Sequence, residues 1–425
     1  MEVKKIIGVL SFSLFLISCA NETGKTPKSV FEKKNSQSSS TDNSSCQSEM
    51  LENKYVVLWE DGSFTYEQGS DEDTFREGFV KNNLPRIKKV FYDKKMKFLN
   101  DSEVSSVKVH SETSTAQATS APEQLWGQRM IKADEAWNQN FYGDGVLVGV
   151  VDSYVDISHS QLKSQIYTNE LEIPDNGIDD DKNGFIDDYR GMSFTGEEKY
   201  TISNPHGTHV SGIIASNHDG LMKGIAPHAK IIPAPFITNN GSGSLGDAIR
   251  AMNYVVDRGA KIINASWGDS SCAKSLKEAF QAISNQGVLI VVAAGNSGND
   301  LDYSPSFPAS FSFPGQITVG ASNENDYMSS FSNSSFNLVH LAAPGDLIFS
   351  TTPSEKYDYL KGTSMATPFV SGAAAVLWGA FPKASSVQIK EALVQSVEVT
   401  PNHEFRVVSK GRLNLSKAIS FMKRF

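Results

Sequence analysis

The sequence predicts an open, doubly wound α/β sheet that is mainly parallel and has helices on both faces. Its main support is a set of continuously apolar runs, a pattern typical of parallel strands buried on both faces. These runs are residues 146–151, 231–236, 261–265, 288–294 and 317–319. Helix-like segments alternate with them, at 206–216, 245–257, 273–285 and 364–381. In such a fold, ligands bind beyond the carboxyl ends of the strands.

Length and charge limit the possible functions. The chain has 425 residues, enough for one large domain with accessory segments. Asp and Glu number 48 and Lys and Arg 39, so the net charge is −9. Because nucleic-acid binding usually needs a basic surface, we expect no nucleic-acid partner. We expect a monomer.

The first 19 residues predict a lipoprotein signal peptide. Lys4 and Lys5 precede an apolar stretch at 6–17, which is shorter than the ~20 residues of a membrane-spanning helix. The following Leu-Ile-Ser-Cys resembles the lipobox of bacterial lipoproteins. This resemblance implies that Cys19 is lipidated and anchors an exported chain to the membrane of the cell envelope. Ordinary signal cleavage, which discards Cys19, is the alternative.

Composition divides the rest of the chain. Residues 20–49 are rich in Ser, Asn, Lys and Thr and predict a flexible linker. A small α+β module is predicted at 50–112, with a strand–helix–strand order that suggests a βαβ-like unit. A second polar linker at 113–124 leads to the large domain at 125–425. Cys46 and Cys272 are interpreted as incidental rather than as a disulfide.

Three polar residues lie where a doubly wound sheet binds its ligands. Asp152 directly follows the first apolar run, and His206 and Ser364 each open a predicted helix. A serine hydroxyl is a weak nucleophile unless a base removes its proton, and that base needs a third group to fix its tautomer. Asp, His and Ser can supply these roles. The helix N-terminus at Ser364 also favours developing negative charge.

The motifs around these residues resemble those of the subtilisin-like serine peptidases, the subtilases. They are HGTHVSG at 206–212, AAGN at 293–296, GTSMATP at 362–368 and Val-Asp-Ser at 151–153. The order Asp, His, Ser along the chain is also that of subtilisin. The resemblance runs from about residue 126 to 419. It implies a subtilisin-like fold and a serine endopeptidase that needs no cofactor for catalysis.

The resemblance implies a role for each matching residue. Asp152 orients His206, which acts as general base and acid. Ser364 attacks the peptide carbonyl, and the amide of Asn296 holds the oxyanion. Two segments resemble the substrate-binding edges of the family, namely Ser266, Trp267 and Gly268, and Gly241, Ser242 and Gly243. Protein or peptide substrates are expected to add between them as a strand.

One position departs from the family pattern. Tyr154 stands two residues after Asp152, where the family usually has glycine. If that position requires a positive φ, a tyrosine there would be strained. The alternative to an active peptidase is therefore a catalytically impaired surface binding protein that keeps the subtilase fold.

An acidic stretch at 175–188 concentrates oxygen ligands. Asp179, Asp181 and Asn183 have the spacing of an EF-hand loop, but position 12 is Arg190 instead of glutamate. Similar insertions in some subtilases are regarded as calcium sites. We expect a structural calcium ion at Asp179, Asp181, Asn183 and Asp187, with a solvated acidic loop as the alternative.

The family resemblance also suggests a role for the module at 50–112. Subtilases commonly carry an N-terminal propeptide that assists folding and occupies the cleft until it is removed. We expect the module to be such a propeptide, with processing at 110–122. If Cys19 carries a lipid, this cut would release the enzyme from its anchor.

Overall fold

The computed structural model describes residues 25–32, 50–97, 124–197, 202–270 and 272–424. The predicted signal peptide with Cys19, most of the first linker with Cys46, and the stretch at 110–122 lie outside these residues. Within the described ranges, no helix is both long enough and apolar enough to span a membrane.

The N-terminal module is a three-stranded antiparallel sheet with one helical segment. Its strands are β1 (Met50–Trp59), β2 (Phe64–Gln68) and β3 (Ile87–Lys97), with β1 in the centre. Between β2 and β3 lie α1 (Glu72–Phe75), a π-helical turn (Arg76–Val80) and α2 (Lys81–Asn83). The expected βαβ-like unit is wrong in detail. A tight turn at Gly62 (φ +87°) reverses the chain into β2, and β1 pairs antiparallel with both β2 and β3.

Residues 25–32, within the predicted flexible linker, pack against this module. Val30 is buried, and Phe31 forms a parallel bridge with Val90 of β3. The Phe31 ring meets Tyr55 edge-on, with the ring centroids 6.1 Å apart. These two apolar side chains explain why this short part of a polar stretch is ordered against the sheet.

The large domain is an α/β unit with the predicted alternation. Its helices are α3 (Trp126–Met130), α4 (Ala133–Trp137), α5 (His206–Ala215), α6 (Leu245–Asp257), α7 (Lys274–Asn285), α8 (Thr363–Ala380), α9 (Ser386–Gln395) and α10 (Leu415–Met422). Its strands are β4 (Leu147–Val150), β5 (Lys230–Pro233), β6 (Ser242–Ser244), β7 (Ile262–Ala265), β8 (Leu289–Ala293), β9 (Gln316–Ser322), β10 (Leu341–Pro344), β11 (Ile348–Thr352), β12 (Lys356–Leu360), β13 (Glu398–Val399) and β14 (Gly411–Arg412).

Eight of these strands form the central sheet, in the order β13-β14-β10-β9-β8-β7-β4-β5. All neighbouring pairs are parallel except β13 with β14, so the predicted fold class is confirmed. The chain passes from β4 to β5 on one side, and β7 then pairs with the other side of β4. The strand order therefore switches between β4 and β7, and their carboxyl ends border the expected ligand-binding crevice.

The N-terminal module docks on the large domain through β3. Lys95, Met96 and Lys97 pair antiparallel with β6, which extends the small sheet to four strands. Beside this pairing, Asp93 is fully buried, and its Oδ1 accepts a hydrogen bond of 2.7 Å from the backbone N–H of Gly246, in the first turn of α6. Apolar side chains of the module, among them Phe91 and Met96, join one continuous core with the large domain.

Candidate active site

Asp152 and His206 form a buried pair at the carboxyl end of β4. Oδ1 of Asp152 lies 2.7 Å from Nδ1 of His206 and also accepts the backbone N–H of Ser153 at 2.6 Å. Asp152 is fully buried and His206 is 8% exposed. Because an ionised carboxylate only accepts hydrogen bonds, we assign the proton to Nδ1, which leaves Nε2 as the basic nitrogen.

Close packing fixes the helix that carries His206. A Cβ atom on Gly207 would lie 2.3 Å from the carbonyl oxygen of Ser153, so only glycine lets α5 approach the loop after β4. The Gly207 N–H donates to Oγ of Ser153 at 2.9 Å. One residue further on, Oγ1 of Thr208 accepts the N–H of Asp156 at 2.9 Å. The HGTH motif thus serves to position His206 against Asp152.

Ser364 lies at the corresponding end of the neighbouring helix. Helices α5 and α8 pack together. Ile225 contacts both helices, since its backbone N–H donates to the carbonyl oxygen of Ile213 in α5 and its side chain packs against Gly372 in α8. Ile213 lies about two turns after His206, and Gly372 lies about two turns after Ser364. Asp152, the partner of His206, follows β4, and Ser266, the partner of Ser364, follows β7. Because β4 and β7 are parallel neighbours, their carboxyl ends meet at one edge of the sheet, and His206 and Ser364 therefore lie at the same edge.

The proline of the GTSMATP motif explains one contact of Ser364. Pro368 lies inside α8 and has no N–H to donate to the carbonyl oxygen four residues earlier, which belongs to Ser364. That oxygen instead accepts a hydrogen bond of 2.9 Å from Oγ of Ser266. In return, Oγ of Ser364 donates to the carbonyl oxygen of Ser266 at 3.0 Å. The two serines thus join α8 to the carboxyl end of β7.

Asn296 lies beside the start of α8 with a defined amide orientation. Its Oδ1 accepts hydrogen bonds from the N–H of Thr363 at 2.8 Å and from Oγ1 of Thr363 at 2.9 Å. The Nδ2 group is therefore the end of the amide that remains for a ligand. Gly362, with φ +151°, keeps this corner open, since a Cβ atom there would lie 3.2 Å from Nδ2.

Each of the two segments predicted as a substrate-binding edge lies next to a strand of the large domain. On one side, a turn through Gly241 (φ +80°) leads into Ser242 and Gly243 of β6, which pairs with β3 of the module. On the other side, Ser266, Trp267 and Gly268 follow β7. The Trp267 indole N–H donates to the carbonyl oxygen of Val151 at 2.8 Å, and its ring meets Phe236 edge-on.

Met96 of β3 lies close to both segments. Its buried side chain lines a small pocket together with Leu245, Ala273 and Leu276, and with Lys94, Lys95 and Asp269. An extended segment of this same chain therefore pairs with Ser242–Ser244, one of the predicted edges.

Tyr154 is accommodated without backbone strain. It is absent from the described non-glycine residues that have positive φ. Its buried side chain instead donates to or accepts from Oγ1 of Thr195 at 2.5 Å and Oγ of Ser193 at 3.2 Å. The concern raised by the missing glycine therefore has no basis in the backbone geometry.

The acidic loop gathers some of the predicted metal ligands and separates others. Carboxylate oxygens of Glu172, Asp179 and Asp181 lie within 4.8 Å of one another. Asp187 lies outside this group and accepts the N–H groups of Asn176 and Gly177, both at 3.0 Å.

Asn183 and Asp181 also have hydrogen-bond partners within the described residues. Asn183 donates its side-chain N–H to Asp188 at 3.3 Å. Burial opposes ionisation of Asp181, but hydrogen bonds from Asn169, Asn183 and Arg258 lower its pKa to about 2.

Glu172 was missed by the sequence analysis. Glu172 lies three residues before the acidic stretch at 175–188, and this proximity was the only feature of the sequence that could have indicated it as a metal ligand. Glu172 is 4% exposed, and its Oε1 accepts the N–H groups of Asp180 and Asp181. Its Oε2 is buried and has no hydrogen-bond partner among the described residues. A buried carboxylate oxygen with no partner is the feature that a bound cation would satisfy.

Two other histidines near this site have fixed partners. Nε2 of His209 lies 3.0 Å from the carbonyl oxygen of Ile348, and burial lowers the pKa of His209 to about 3. His159 is also fully buried, and its Nδ1 accepts the N–H of Gln161 at 3.2 Å. Both rings are therefore held by structural contacts.

Comparison with known proteins identifies the family. The sequence profile described as "Subtilase family" matches residues 143–412. The chain is 38% identical to the major intracellular serine protease of Bacillus subtilis, over 59% of this chain and 74% of that protein. It is 32% identical to subtilisin DY of Bacillus licheniformis, over 69% of this chain and 97% of that protein.

A relative from a eukaryote is much longer. Subtilisin-like protease 2 of Plasmodium falciparum is 32% identical over 79% of this chain, but the match spans only 26% of that protein. The profile match at 143–412 covers most of the large domain. The chain therefore belongs to the subtilase family of serine peptidases.

Proposed function

We propose that this chain is an exported subtilisin-like endopeptidase that hydrolyses peptide bonds through an acyl-enzyme on Ser364. The observation that carries the proposal is the buried 2.7 Å contact between Asp152 and His206. Ser364 lies at the same edge of the sheet, where its Oγ donates to the carbonyl oxygen of Ser266 after β7, the parallel neighbour of β4. A nucleophile, a base and an orienting carboxylate are the three parts that serine peptidase chemistry requires.

In the proposed reaction, Nε2 of His206 takes the proton of Ser364 while Oγ attacks the substrate carbonyl carbon. The hydroxyl must leave the carbonyl oxygen of Ser266 to make this transfer. The tetrahedral intermediate collapses when protonated His206 gives the proton to the leaving amine, which departs. A water molecule then attacks the acyl-enzyme by the same route and restores Ser364. Asp152 stabilises the imidazolium throughout.

The oxyanion formed in each half-reaction requires hydrogen-bond donors. Nδ2 of Asn296 and the backbone N–H of Ser364 supply them in this proposal. The orientation imposed by Thr363 on the Asn296 amide supports it, because a fixed donor costs no reorganisation during the reaction. The first turn of α8 adds a favourable dipole.

We infer that substrates are proteins or peptides bound in an extended conformation between Gly241–Gly243 and Ser266–Gly268. The pairing of β3 with β6 supports this mode, since it is strand addition by the chain itself. The burial of Met96 in one apolar cluster with Leu245, Ala273 and Leu276 favours substrates with an apolar side chain at the equivalent position.

We also propose that the N-terminal module is an inhibitory propeptide. It occupies a substrate edge, and its removal would open that edge. Lipidation at Cys19 would hold the precursor at the cell envelope, and the maturation cut would then release the peptidase. Finding active enzyme whose N-terminus still carries the lipid would contradict this release.

We propose calcium as a structural ion of the acidic loop, held by Glu172, Asp179 and Asp181. The unpartnered Oε2 of Glu172 supports a cation there, and three carboxylates suit the oxygen preference of calcium. A solvated acidic loop remains the alternative. The ion would stabilise the loop and take no part in catalysis.

Hydrolysis of a fluorogenic peptide library by the processed enzyme tests the proposed function. We expect turnover by the wild type, and loss of turnover in Ser364→Ala with an unchanged melting temperature. Turnover should fall at low pH, as His206 takes up a proton. A wild type that binds peptides without cutting any of them would favour the surface binding protein instead.

A further inference from the structure

The segment that leads into His206 is held by one side chain from another loop. Oδ1 of Asn239 accepts the backbone N–H of Ser203 at 2.9 Å and that of Asn204 at 3.3 Å. Asn204 in turn accepts the N–H of His206 on its own Oδ1 at 3.1 Å. The entry into α5 is thus fixed by two successive amide side chains, the first of which belongs to the loop beside β6.

Glu197 determines how the Asn239 amide is oriented. Its Oε2 accepts the backbone N–H of Asn239 at 3.0 Å and the side-chain Nδ2 at 3.3 Å. Because a carboxylate only accepts hydrogen bonds, the Nδ2 end of Asn239 must face Glu197. The Oδ1 end therefore faces Ser203 and Asn204. We call Glu197, Asn239 and Asn204 the histidine clamp.

The histidine clamp also reaches the loop that carries Asp152. The carbonyl oxygen of Glu197 accepts a hydrogen bond from the Tyr154 hydroxyl at 3.2 Å, and the Glu197 N–H donates to Oγ1 of Thr195 at 3.0 Å. Tyr154 follows Asp152 by two residues. The clamp therefore connects the segments on either side of the Asp152–His206 hydrogen bond.

The same clamp borders the substrate edge. The N–H of Thr238 donates to the carbonyl oxygen of Ser242 at 2.8 Å, which closes the turn that contains Asn239 and Gly241. A movement of Asn239 would consequently displace both the segment that leads into His206 and the proposed substrate edge at Gly241–Gly243. No motif of the family contains Glu197 or Asn239 in this sequence.

We propose that Asn239, oriented by Glu197, is a positioning residue that sets the place of His206 relative to Ser364 and to bound substrate. This inference rests on the proposed peptidase function. Its physical basis is that the proton transfers of acyl-enzyme chemistry require closely defined distances, so that a displacement of about 1 Å can cost about 100-fold in rate. Without the clamp, the proton transfers would be slower, but His206 would still be the general base.

Asn239→Ala in the processed enzyme tests the proposal, with kcat expressed per active site titrated by a peptidyl phosphonate. We expect kcat per titrated site to fall by about 10- to 100-fold, with KM changed by less than about threefold. Asn323→Ala is the matched control, because Oδ1 of Asn323 also accepts two backbone N–H groups, at 3.0 and 3.1 Å, in another loop. It should retain the wild-type kcat per titrated site.

Exchanging the carboxylate and the amide between positions 197 and 239 tests the role of Glu197 in the clamp. Asn239→Asp alone places two carboxylates against each other and should lower kcat as much as Asn239→Ala does. The double variant E197Q/N239D restores one donor and one acceptor between the two positions and should recover kcat to within about fivefold of wild type. An unrecovered double variant would overturn the assignment of Glu197.

Two outcomes separate this inference from the proposed function. If the wild type reacts with the phosphonate at Ser364 but Asn239→Ala keeps its kcat per titrated site, the clamp is merely structural and the inference is wrong. If the wild type itself neither turns over peptides nor takes up the phosphonate, the proposed peptidase function fails instead.

Discussion

The backbone N–H of Thr363 donates to Oδ1 of Asn296 at 2.8 Å, and this contact fixes the orientation of the Asn296 amide. The hydroxyl of the same threonine makes a second bond to the same oxygen. With its acceptor end occupied, Asn296 can offer only N–H donors to the cleft. Such fixed donors contribute to catalysis because they stabilise charge that develops in the transition state.

We therefore expect Asn296→Leu to lower kcat by about 10²- to 10³-fold, with little change in KM. Leucine has a similar size but cannot donate a hydrogen bond. Steady-state kinetics on a peptide substrate, normalised to titrated active sites, would measure the effect. Thr363→Ser keeps the hydroxyl and serves as the control. A kcat within threefold of wild type in Asn296→Leu would remove Asn296 from the oxyanion hole.

Docking of the N-terminal module should depend on pH through Asp93. Burial raises the pKa of Asp93 to about 6, although the N–H groups of Gly246 and Lys94 oppose this effect. The charged groups nearby are Asp247, which raises this pKa further, and Arg250, which is near Tyr66 on the same face.

The sign follows from comparing the docked and undocked states. An exposed aspartate has a pKa of about 3.9, so the docked state binds the proton more tightly. Docking is therefore strongest at low pH and weakens as pH rises through about 6, by up to about 100-fold in the equilibrium constant. Neutral pH would favour release of the module.

Thermal unfolding of the Ser364→Ala chain at pH 5 and pH 7.5 measures this dependence. We expect the transition of the module to shift to lower temperature at pH 7.5, and the additional change Asp93→Asn to abolish most of the shift. Asp61→Asn alters an exposed carboxylate of the same module and should leave the shift in place. A shift that persists undiminished in the Asp93→Asn chain would contradict the role of Asp93.

If the acidic loop binds calcium, the melting temperature of the large domain should depend on the calcium concentration. At a calcium concentration of about 100 times Kd, binding should raise the melting temperature of the large domain by about 5–10 °C relative to a chelator. Glu172→Gln should remove most of this difference, because Oε2 of Glu172 would no longer carry charge. Asp187→Asn should preserve it, since Asp187 lies outside the carboxylate group. An equal loss in both variants would contradict the assignment.

The maturation cut is expected soon after β3. Because Lys95–Lys97 pair with Ser242–Ser244, β3 is the part of the module that lies along the substrate edge. Sequencing the N-terminus of the processed enzyme would locate the cut. We expect it within a few residues of Lys97, closer to β3 than the stretch at 110–122 that the family resemblance suggested. A mature N-terminus inside 110–122 would mean that β3 blocks the edge without being the strand that is cut.

Much of the fold was predictable because buried parallel strands have continuously apolar sequences. The strands around Val148 and Val291 were found in this way. Strands β2 and β12 were missed, since each mixes polar residues with aromatic ones and lies in an antiparallel pair. Pairing of this kind depends on the partner strand, which a single segment does not reveal.

The proposed catalytic residues could be singled out in the sequence for a different reason. Asp152, His206, Asn296 and Ser364 each follow a strand or open a helix within a short motif. Glu172 and Asn239 could not be found in this way, because their roles come from contacts between loops that are separate in the sequence. Only the folded chain brings Glu197 to Asn239, 42 residues later.

In the proposed mechanism, the Asp152–His206 pair activates Ser364 as the nucleophile. Mass spectrometry of the processed enzyme after reaction with a peptidyl phosphonate tests this activation. We expect one stoichiometric adduct on the peptide that contains Ser364, none in Ser364→Ala, and a much slower reaction in His206→Ala. An unlabelled wild type, or an adduct that survives in Ser364→Ala, would contradict it.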